Sequence, residues 1–148
     1  MAETQAIGVA VIGVGRMGRH HARTYQNLAR ADLRAVVDPD EDRGGAVADE
    51  YGCAWYASVD ELIENEPDIK AVTVAVPTIF HREAAEQLMP RGIACLIEKP
   101  LAGTRADAQA IVDLSKETGV ALQVGHTERF NPAVRAVVAM DFVPRFME

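Results

Sequence analysis

The feature that most constrains this chain is a glycine-rich turn after an apolar, β-branched run, in the sequence IGVAVIGVGRMGR over residues 7–19. Gly13 allows a sharp turn off a strand, Gly15 lets an anion approach the main chain, and Gly18 lets a helix pack closely on the strand. The free N–H groups and the dipole at the start of that helix favour a dianion. The pattern therefore predicts a strand, a tight turn and a helix that binds a pyrophosphate.

A second strand and an acidic residue follow at the spacing of a dinucleotide-binding unit. Residues 33–37 are an apolar run, and Asp38 comes 20 residues after Gly18. An acid about 20 residues beyond the glycines binds ribose hydroxyls, and its charge repels the 2′-phosphate of NADP. We therefore predict NAD as the cofactor, with NADP disfavoured, although the nearby Arg43 is able to accept a 2′-phosphate. The alternative for Asp38 is a cap on a helix that begins at Pro39.

Length, composition and charge are those of one ordinary globular domain. The chain has 148 residues, of which 49% are hydrophobic and 25% charged. Its net charge of −7 argues against nucleic acid and anionic membrane surfaces as partners, because both attract basic patches. We find no signal peptide and no apolar run of membrane-spanning length. The two cysteines, with no CxxC pair and no histidine at ligand spacing, predict free thiols in a reducing cytoplasm and no metal site.

Apolar runs alternate with segments of helical periodicity along the rest of the chain. This alternation predicts an α/β fold, a Rossmann-type doubly wound parallel sheet of about six strands with helices on both faces. We predict a dinucleotide-binding domain over residues 1–131, and a helix and extended tail over residues 132–148. Ser58 and Glu61 are expected to form a capping box, and Asn131 to cap the last helix.

Polar residues follow several predicted strands, at the edge where ligands bind in such a sheet. Glu98, Lys99 and Pro100 come directly after an apolar strand, and they fit either a solvated ion pair or a reaction centre. A lysine partly removed from water beside a cationic nicotinamide suits proton transfer. Thr78 fits a helix cap and a ligand contact equally well, and His81 taken alone is more typical of an ordinary core or surface histidine.

Four motifs together resemble one family of dehydrogenases. GVGRMGRHHA, AVPTIFH, LIEKPLA and VGHTERFNPAV are similar to the N-terminal NAD-binding domain of the glucose-fructose oxidoreductase / inositol dehydrogenase (Gfo/Idh/MocA) family, over nearly the whole chain. The HTERFNP segment is most similar to the branch of UDP-N-acetylglucosamine 3-dehydrogenases. The resemblance implies an oxidoreductase that passes a hydride between nicotinamide and a hydroxyl-bearing carbon of a sugar or sugar nucleotide.

The resemblance also implies roles for individual residues. Lys99 would be catalytic, holding or deprotonating the sugar hydroxyl, and Glu98 would lie near the nicotinamide ribose. Asn131 would cap the next helix rather than bind the cofactor. The glycine turn and the resemblance together predict a set of cofactor-binding residues: Gly13, Gly15, Arg16, Met17, Gly18, Asp38, Pro77, Thr78, His81, Glu98, His126 and Arg129.

Members of the family carry a second α/β domain that binds the sugar and supplies further catalytic residues. We expect that domain to be missing here, so that this chain alone is inactive and the sugar substrate is reached through the missing domain. The alternative is a non-catalytic sensor or regulatory module for NAD(H), which would have no use for the Glu98-Lys99-Pro100 segment. Members of the family associate with one another through this second domain, so the sequence leaves open whether this chain forms a homo-oligomer.

Overall fold

A parallel sheet forms the centre of the computed structural model, which describes residues 6–140. In that part of the chain the strands are β1 (Ile7–Ile12), β2 (Ala31–Val37), β3 (Ala54–Tyr56), β4 (Ile69–Val74), β5 (Ala94–Ile97) and β6 (Leu122–Val124). They form one six-stranded sheet in the order β3-β2-β1-β4-β5-β6, with every neighbouring pair parallel. The predicted Rossmann-type sheet is confirmed.

Helices cover both faces of the sheet, as predicted. They are α1 (Arg16–Gln26), α2 (Glu41–Tyr51), α3 (Val59–Asn65), α4 (His81–Leu88), α5 (Arg105–Thr118) and α6 (Pro132–Val138). Short 3₁₀ segments lie at Thr78–Phe80, Met89–Arg91 and Thr127–Phe130. The helices on each face pack on a separate apolar core: α1 and α2 contribute to one core, and α3, α4 and α5 contribute to the other.

The alternation of side chains along β1 separates the two cores. Ala10 and Ile12 belong to the core under α3, α4 and α5, whereas Val9 and Val11 belong to the core under α1 and α2. All four side chains are at most 3% exposed. A central parallel strand buried on both faces needs such a continuous apolar sequence, and its burial fixes the position at which β1 ends in the glycine turn.

The start of α2 differs from the prediction. Asp40, not Asp38, is the residue that caps the helix, and its side chain accepts a hydrogen bond from the Arg43 N–H at 3.0 Å. The helix therefore begins at Glu41, and Pro39 lies outside it. Asp38 is thus not the cap of α2.

Two further caps were predicted from the sequence. Ser58 Oγ accepts from the Glu61 N–H, but the Glu61 carboxylate accepts from the Ala57 N–H, so only half of the expected capping box forms. Asn131 Oδ1 accepts from the Ala133 N–H at the start of α6, as predicted. The tail predicted to be extended, residues 141–148, lies outside the described residues.

Both cysteines are free thiols. Burial raises the pKa of Cys53 to about 11 and that of Cys95 to about 12, so both stay protonated at neutral pH. Over residues 6–140, no helix combines the length and the apolar character needed to cross a bilayer.

Candidate functional site

The glycine turn has the geometry that its spacing predicts. Gly13 has a φ of +83°, in the left-handed region that side chains disfavour, and its N–H donates to the Val37 carbonyl oxygen. A Cβ at Gly18 would overlap the Gly13 carbonyl oxygen, so only glycine lets α1 pack this closely on the turn. A Cβ at Gly15 would contact nothing within 4 Å, so the main chain there faces open space.

The N-terminus of α1 is available to an anion. Gly15 precedes the helix and has no side chain to accept from its first N–H groups, and no other side chain within residues 6–140 caps them. The first helical N–H groups have no partner within a helix and carry its positive dipole end. Arg16 and Met17, the first two helical residues, are exposed beside them. The open space at Gly15 and these amides fit a pyrophosphate.

Asp38 follows β2 and is almost completely buried, at 2% exposure. Its Oδ2 accepts from the Val14 N–H of the glycine turn at 2.9 Å, and its Oδ1 accepts from the Asp40 N–H at 3.0 Å. Arg43 donates to both carboxylate oxygens, from Nε at 2.9 Å and from Nη2 at 2.6 Å. The carboxylate therefore lies against the glycine turn, where a ribose next to the pyrophosphate would be.

The contacts of Asp38 keep it ionised. Burial is the strongest influence and by itself would raise the pKa of Asp38, but the hydrogen bonds from Arg43, Val14 and Asp40 outweigh it. The pKa of Asp38 lies below its ordinary value of 3.8 as a result. A carboxylate has about four lone-pair positions, and these four donors use them. Ribose hydroxyls would therefore take the place of Arg43.

Glu98 follows β5 and is buried, with 6% exposure. Its Oε1 lies 2.8 Å from Nε2 of His21 on α1, and its Oε2 accepts from the Lys99 N–H at 3.1 Å. Of the two adjacent histidines in the sequence, His21 is thus the partly buried one, whereas His20 is exposed. His21 is not among the site residues predicted from the sequence.

Lys99 is exposed at the same edge of the sheet, and the peptide bond between it and Pro100 is cis. The Lys99 N–H is held by Glu98, and the Glu98 N–H donates to the Val74 carbonyl oxygen at the end of β4. The main chain under Lys99 is therefore anchored to the neighbouring strand. The side chain extends from a fixed point at the carboxyl end of the sheet.

Thr78 begins the 3₁₀ segment after β4. Pro77 precedes that segment, and neither the segment nor α4 is capped by a side chain. The alternative that Thr78 is a helix cap is therefore wrong. Pro77 is exposed and Thr78 partly exposed, which suits the predicted contact with a ligand.

His81, on the first turn of α4, is buried at 1% exposure. Its Nε2 lies 3.0 Å from the Val76 carbonyl oxygen, and its Nδ1 lies 3.1 Å and 3.2 Å from the carbonyl oxygens of Pro100 and Leu101. Both ring nitrogens thus face the main chain. His81 links the segment after β4 to the segment after Lys99, so any effect on a cofactor is indirect.

His126 and Arg129 lie beyond β6, and both are exposed. Gly125 ends that strand, and its N–H donates to the Ile97 carbonyl oxygen of β5. The predicted residues after β1, β2, β4, β5 and β6 therefore share one edge of the sheet. This edge includes the point at which strand order reverses between β1 and β4, the usual ligand site in such sheets.

Comparison with known proteins identifies the family. A model of an oxidoreductase family with an NAD-binding Rossmann fold (GFO_IDH_MocA) matches residues 7–126. The chain belongs to this family. The match covers the sheet and every predicted site residue except Arg129, and it confirms the resemblance carried by the four motifs.

Individual relatives of this family member are similar over most of its length. The UDP-N-acetylglucosamine 3-dehydrogenase of Acidithiobacillus ferrooxidans is 36% identical over 139 residues, which are 93% of this chain and 43% of that protein. The scyllo-inositol 2-dehydrogenase (NAD(+)) of Bacillus subtilis is 36% identical over 126 residues, 84% of this chain and 36% of that protein. The chain thus spans about two fifths of the length of these relatives.

Solved structures agree. The structure of UDP-N-acetylglucosamine 3-dehydrogenase GnnA from Acidithiobacillus ferrooxidans has a TM-score of 0.82 and 34% identity, covering 93% of this chain and 44% of that one. GenD2 from gentamicin A biosynthesis, solved in complex with NAD, has a TM-score of 0.87 and 34% identity, covering 95% of this chain and 41% of that one.

Proposed function

We propose that this chain is the NAD-binding part of a dehydrogenase that acts on a hydroxyl group of a sugar or sugar nucleotide. One observation supports this most strongly. Three features lie together at the carboxyl edge of the sheet: the N-terminus of α1, which no side chain of the described residues caps, the open space at Gly15 and the buried Asp38. The relatives include a UDP-N-acetylglucosamine dehydrogenase and an inositol dehydrogenase. We also propose the cytoplasm, where free thiols persist, as the location.

The residues that would hold NAD divide between the two halves of the sheet. The first N–H groups of α1, from Arg16 onward, would bind the pyrophosphate, and Asp38 would accept from the adenosine ribose. Pro77, Thr78 and Glu98, after β4 and β5, would contact the nicotinamide half. His126 and Arg129 would line its far end. Bound NAD would supply the acceptor of the hydride.

We assign to Lys99 the role of accepting the proton of the sugar hydroxyl. Oxidation of an alcohol to a carbonyl releases one hydride and one proton, so a base is needed at the hydroxyl oxygen. The Lys99 Nζ is exposed on a main chain that Glu98 anchors, and a neutral amine there would accept the hydroxyl proton. Glu98 is buried at the same strand end and is already hydrogen-bonded, which makes it less suited to that role.

We propose residues 1–131 as the dinucleotide-binding domain. Within the described residues, every residue of α6 is exposed, as expected for a helix that leads away from the domain. The relatives are long enough to contain a second domain, and we propose that a domain of that kind would bind the sugar.

A lysine substitution tests the assignment in a form of the protein extended to the length of its relatives. We expect Lys99→Met to reduce kcat by about 100-fold or more, because general acid–base groups contribute roughly that much. The Kd for NADH should stay within about twofold of that of the unsubstituted protein, since Lys99 is assigned to contact the sugar and not the cofactor. Lys116→Met, on the exposed surface of α5, is the matched control. Retained turnover in Lys99→Met would remove this lysine from the mechanism.

A further inference from the structure

His21 and Glu98 form a largely buried pair that connects α1 to the end of β5. The distance between His21 Nε2 and Glu98 Oε1 is 2.8 Å, and the two side chains are 14% and 8% exposed. This separation between a ring nitrogen and a carboxylate oxygen is that of a short hydrogen bond. His21 lies in the second turn of α1, the helix whose N-terminus faces the glycine turn.

The Glu98 carboxylate is confined by three elements. His21 holds Oε1 from α1, and the Lys99 N–H holds Oε2 from the same strand end. Gly125, directly after β6, leaves room for it: a Cβ there would lie 3.0 Å from the carboxylate carbon, tighter than nine in ten real Cβ contacts. The position of this carboxylate is therefore built into the fold rather than being one rotamer of a surface side chain.

Glu98 and Asp38 lie in opposite halves of the sheet. Asp38 follows β2, on one side of β1, whereas Glu98 follows β5, two strands away on the other side. In a doubly wound sheet each half receives one nucleotide of a dinucleotide, with the pyrophosphate between them. Glu98 thus belongs to the half opposite the adenosine, which under the proposed function receives the nicotinamide nucleotide.

We propose that His21 is a positioning residue for the nicotinamide half of the site. Its hydrogen bond through Nε2 holds the Glu98 carboxylate at the carboxyl edge of β5, and the bond from the Lys99 N–H to that carboxylate holds the main chain that carries Lys99. Affinity for the nicotinamide nucleotide depends on the bond between His21 and Glu98, and affinity for the adenosine and pyrophosphate does not. The inference rests on the proposed function, because it assigns the second half of the cleft to nicotinamide.

Two ligands separate this role from a general structural one. NADH occupies both halves of the cleft, whereas ADP occupies only the adenosine and pyrophosphate half. We expect His21→Leu to weaken NADH binding about tenfold in a calorimetric titration, with the Kd for ADP changed less than twofold. His21→Gln should restore NADH binding, because the glutamine amide nitrogen reaches the position of the histidine Nε2. His20→Leu, on the exposed side of α1, is the matched control and should change neither Kd.

Several outcomes contradict the inference. Equal losses of ADP and NADH affinity in His21→Leu would show that His21 only maintains the structure of α1. Failure of His21→Gln to restore NADH binding would show that NADH affinity does not depend on the hydrogen bond to Glu98. Equal affinities of the unsubstituted chain for the two ligands would also overturn it. If His21→Leu does not fold, His21→Asn replaces it, since its shorter amide should fail where glutamine succeeds. Binding of neither ligand by the unsubstituted chain would instead contradict the proposed function.

Discussion

Asp38 combines burial, charge and four hydrogen bonds in one side chain. The donors are the amides of Val14 and Asp40 and two nitrogens of Arg43. Burial opposes ionisation, and these donors favour it more strongly, so the pKa of Asp38 is lowered. The same carboxylate that is suited to ribose hydroxyls therefore also stabilises the folded chain without a ligand.

This shift predicts how stability depends on pH. The pKa of Asp38 is 3.8 in an unfolded chain and lower in the folded one, so its contribution is complete above about pH 3.8. Below that pH the unfolded state takes up the proton first, and the contribution disappears as the pH falls through the lower, folded value. We expect Arg43→Met to lower the free energy of unfolding at neutral pH. We also expect the free energy of unfolding to fall less in this variant as the pH is lowered through the acid range.

The measurement is urea unfolding of the unsubstituted chain and Arg43→Met between neutral and acid pH. The difference between the two curves cancels the carboxylates that do not contact Arg43 and leaves Asp38 with Asp40, whose Oδ2 lies 3.1 Å from Arg43 Nη1. A difference that stays constant across the acid range would show that Arg43 does not lower the pKa of Asp38.

Some side-chain contacts at the residue scale were not predictable from the sequence. The spacing of Asp38 from Gly18 predicted its place beside the turn, because strand and turn lengths fix it. The partners of His21 and His81 come from other strand ends, far away in sequence. An adjacent histidine pair in a helix indicates that one is buried, and it does not indicate which carboxylate that one meets.

At the scale of the element, α2 contains two glycines whose environments differ. A Cβ at Gly44 would overlap the indole of Trp55, whose Nε1 donates to the Asp38 carbonyl oxygen at 2.9 Å. A Cβ at Gly45 would contact nothing within 4 Å. Gly44 is therefore required by the close approach of β3 to the helix, and Gly45 is not.

The two glycines provide a matched pair of substitutions. We expect Gly45→Ala to raise the free energy of unfolding by about 0.5–1 kcal/mol, because glycine in a helix has more conformational freedom to lose. Gly44→Ala should lower it by about 1–3 kcal/mol, since the added methyl displaces the Trp55 ring. Denaturant unfolding measures both. Stabilisation by both substitutions would contradict the packing of Trp55 on α2.

The ends of elements were predicted less well than their existence. The apolar runs and helical periods identified the strands and helices, because burial of one face dictates these patterns. Local polar competition decided the ends: Asp40 rather than Asp38 caps α2, and the Glu61 carboxylate accepts from the Ala57 N–H rather than from that of Ser58. Several acceptors lie within one residue of each of these helix starts, and the sequence does not distinguish between them.

At the scale of the whole molecule, the parallel sheet brings distant segments to one edge. The residues after β1, β2, β4, β5 and β6 are far apart in sequence but adjacent in space, because parallel strands all end on the same side. The candidate site could therefore be predicted from the order of strands and helices before any side-chain contact was known. The strand order, with its reversal between β1 and β4, is the feature that the structure adds.

The central claim is that this edge is a dinucleotide site that favours NAD. Parallel calorimetric titrations of the 148-residue chain with NADH and NADPH test it most directly. We predict that NADH binds and that NADPH binds at least about tenfold more weakly, because the buried Asp38 carboxylate repels a 2′-phosphate. Binding of neither ligand, or tighter binding of NADPH, would contradict the account.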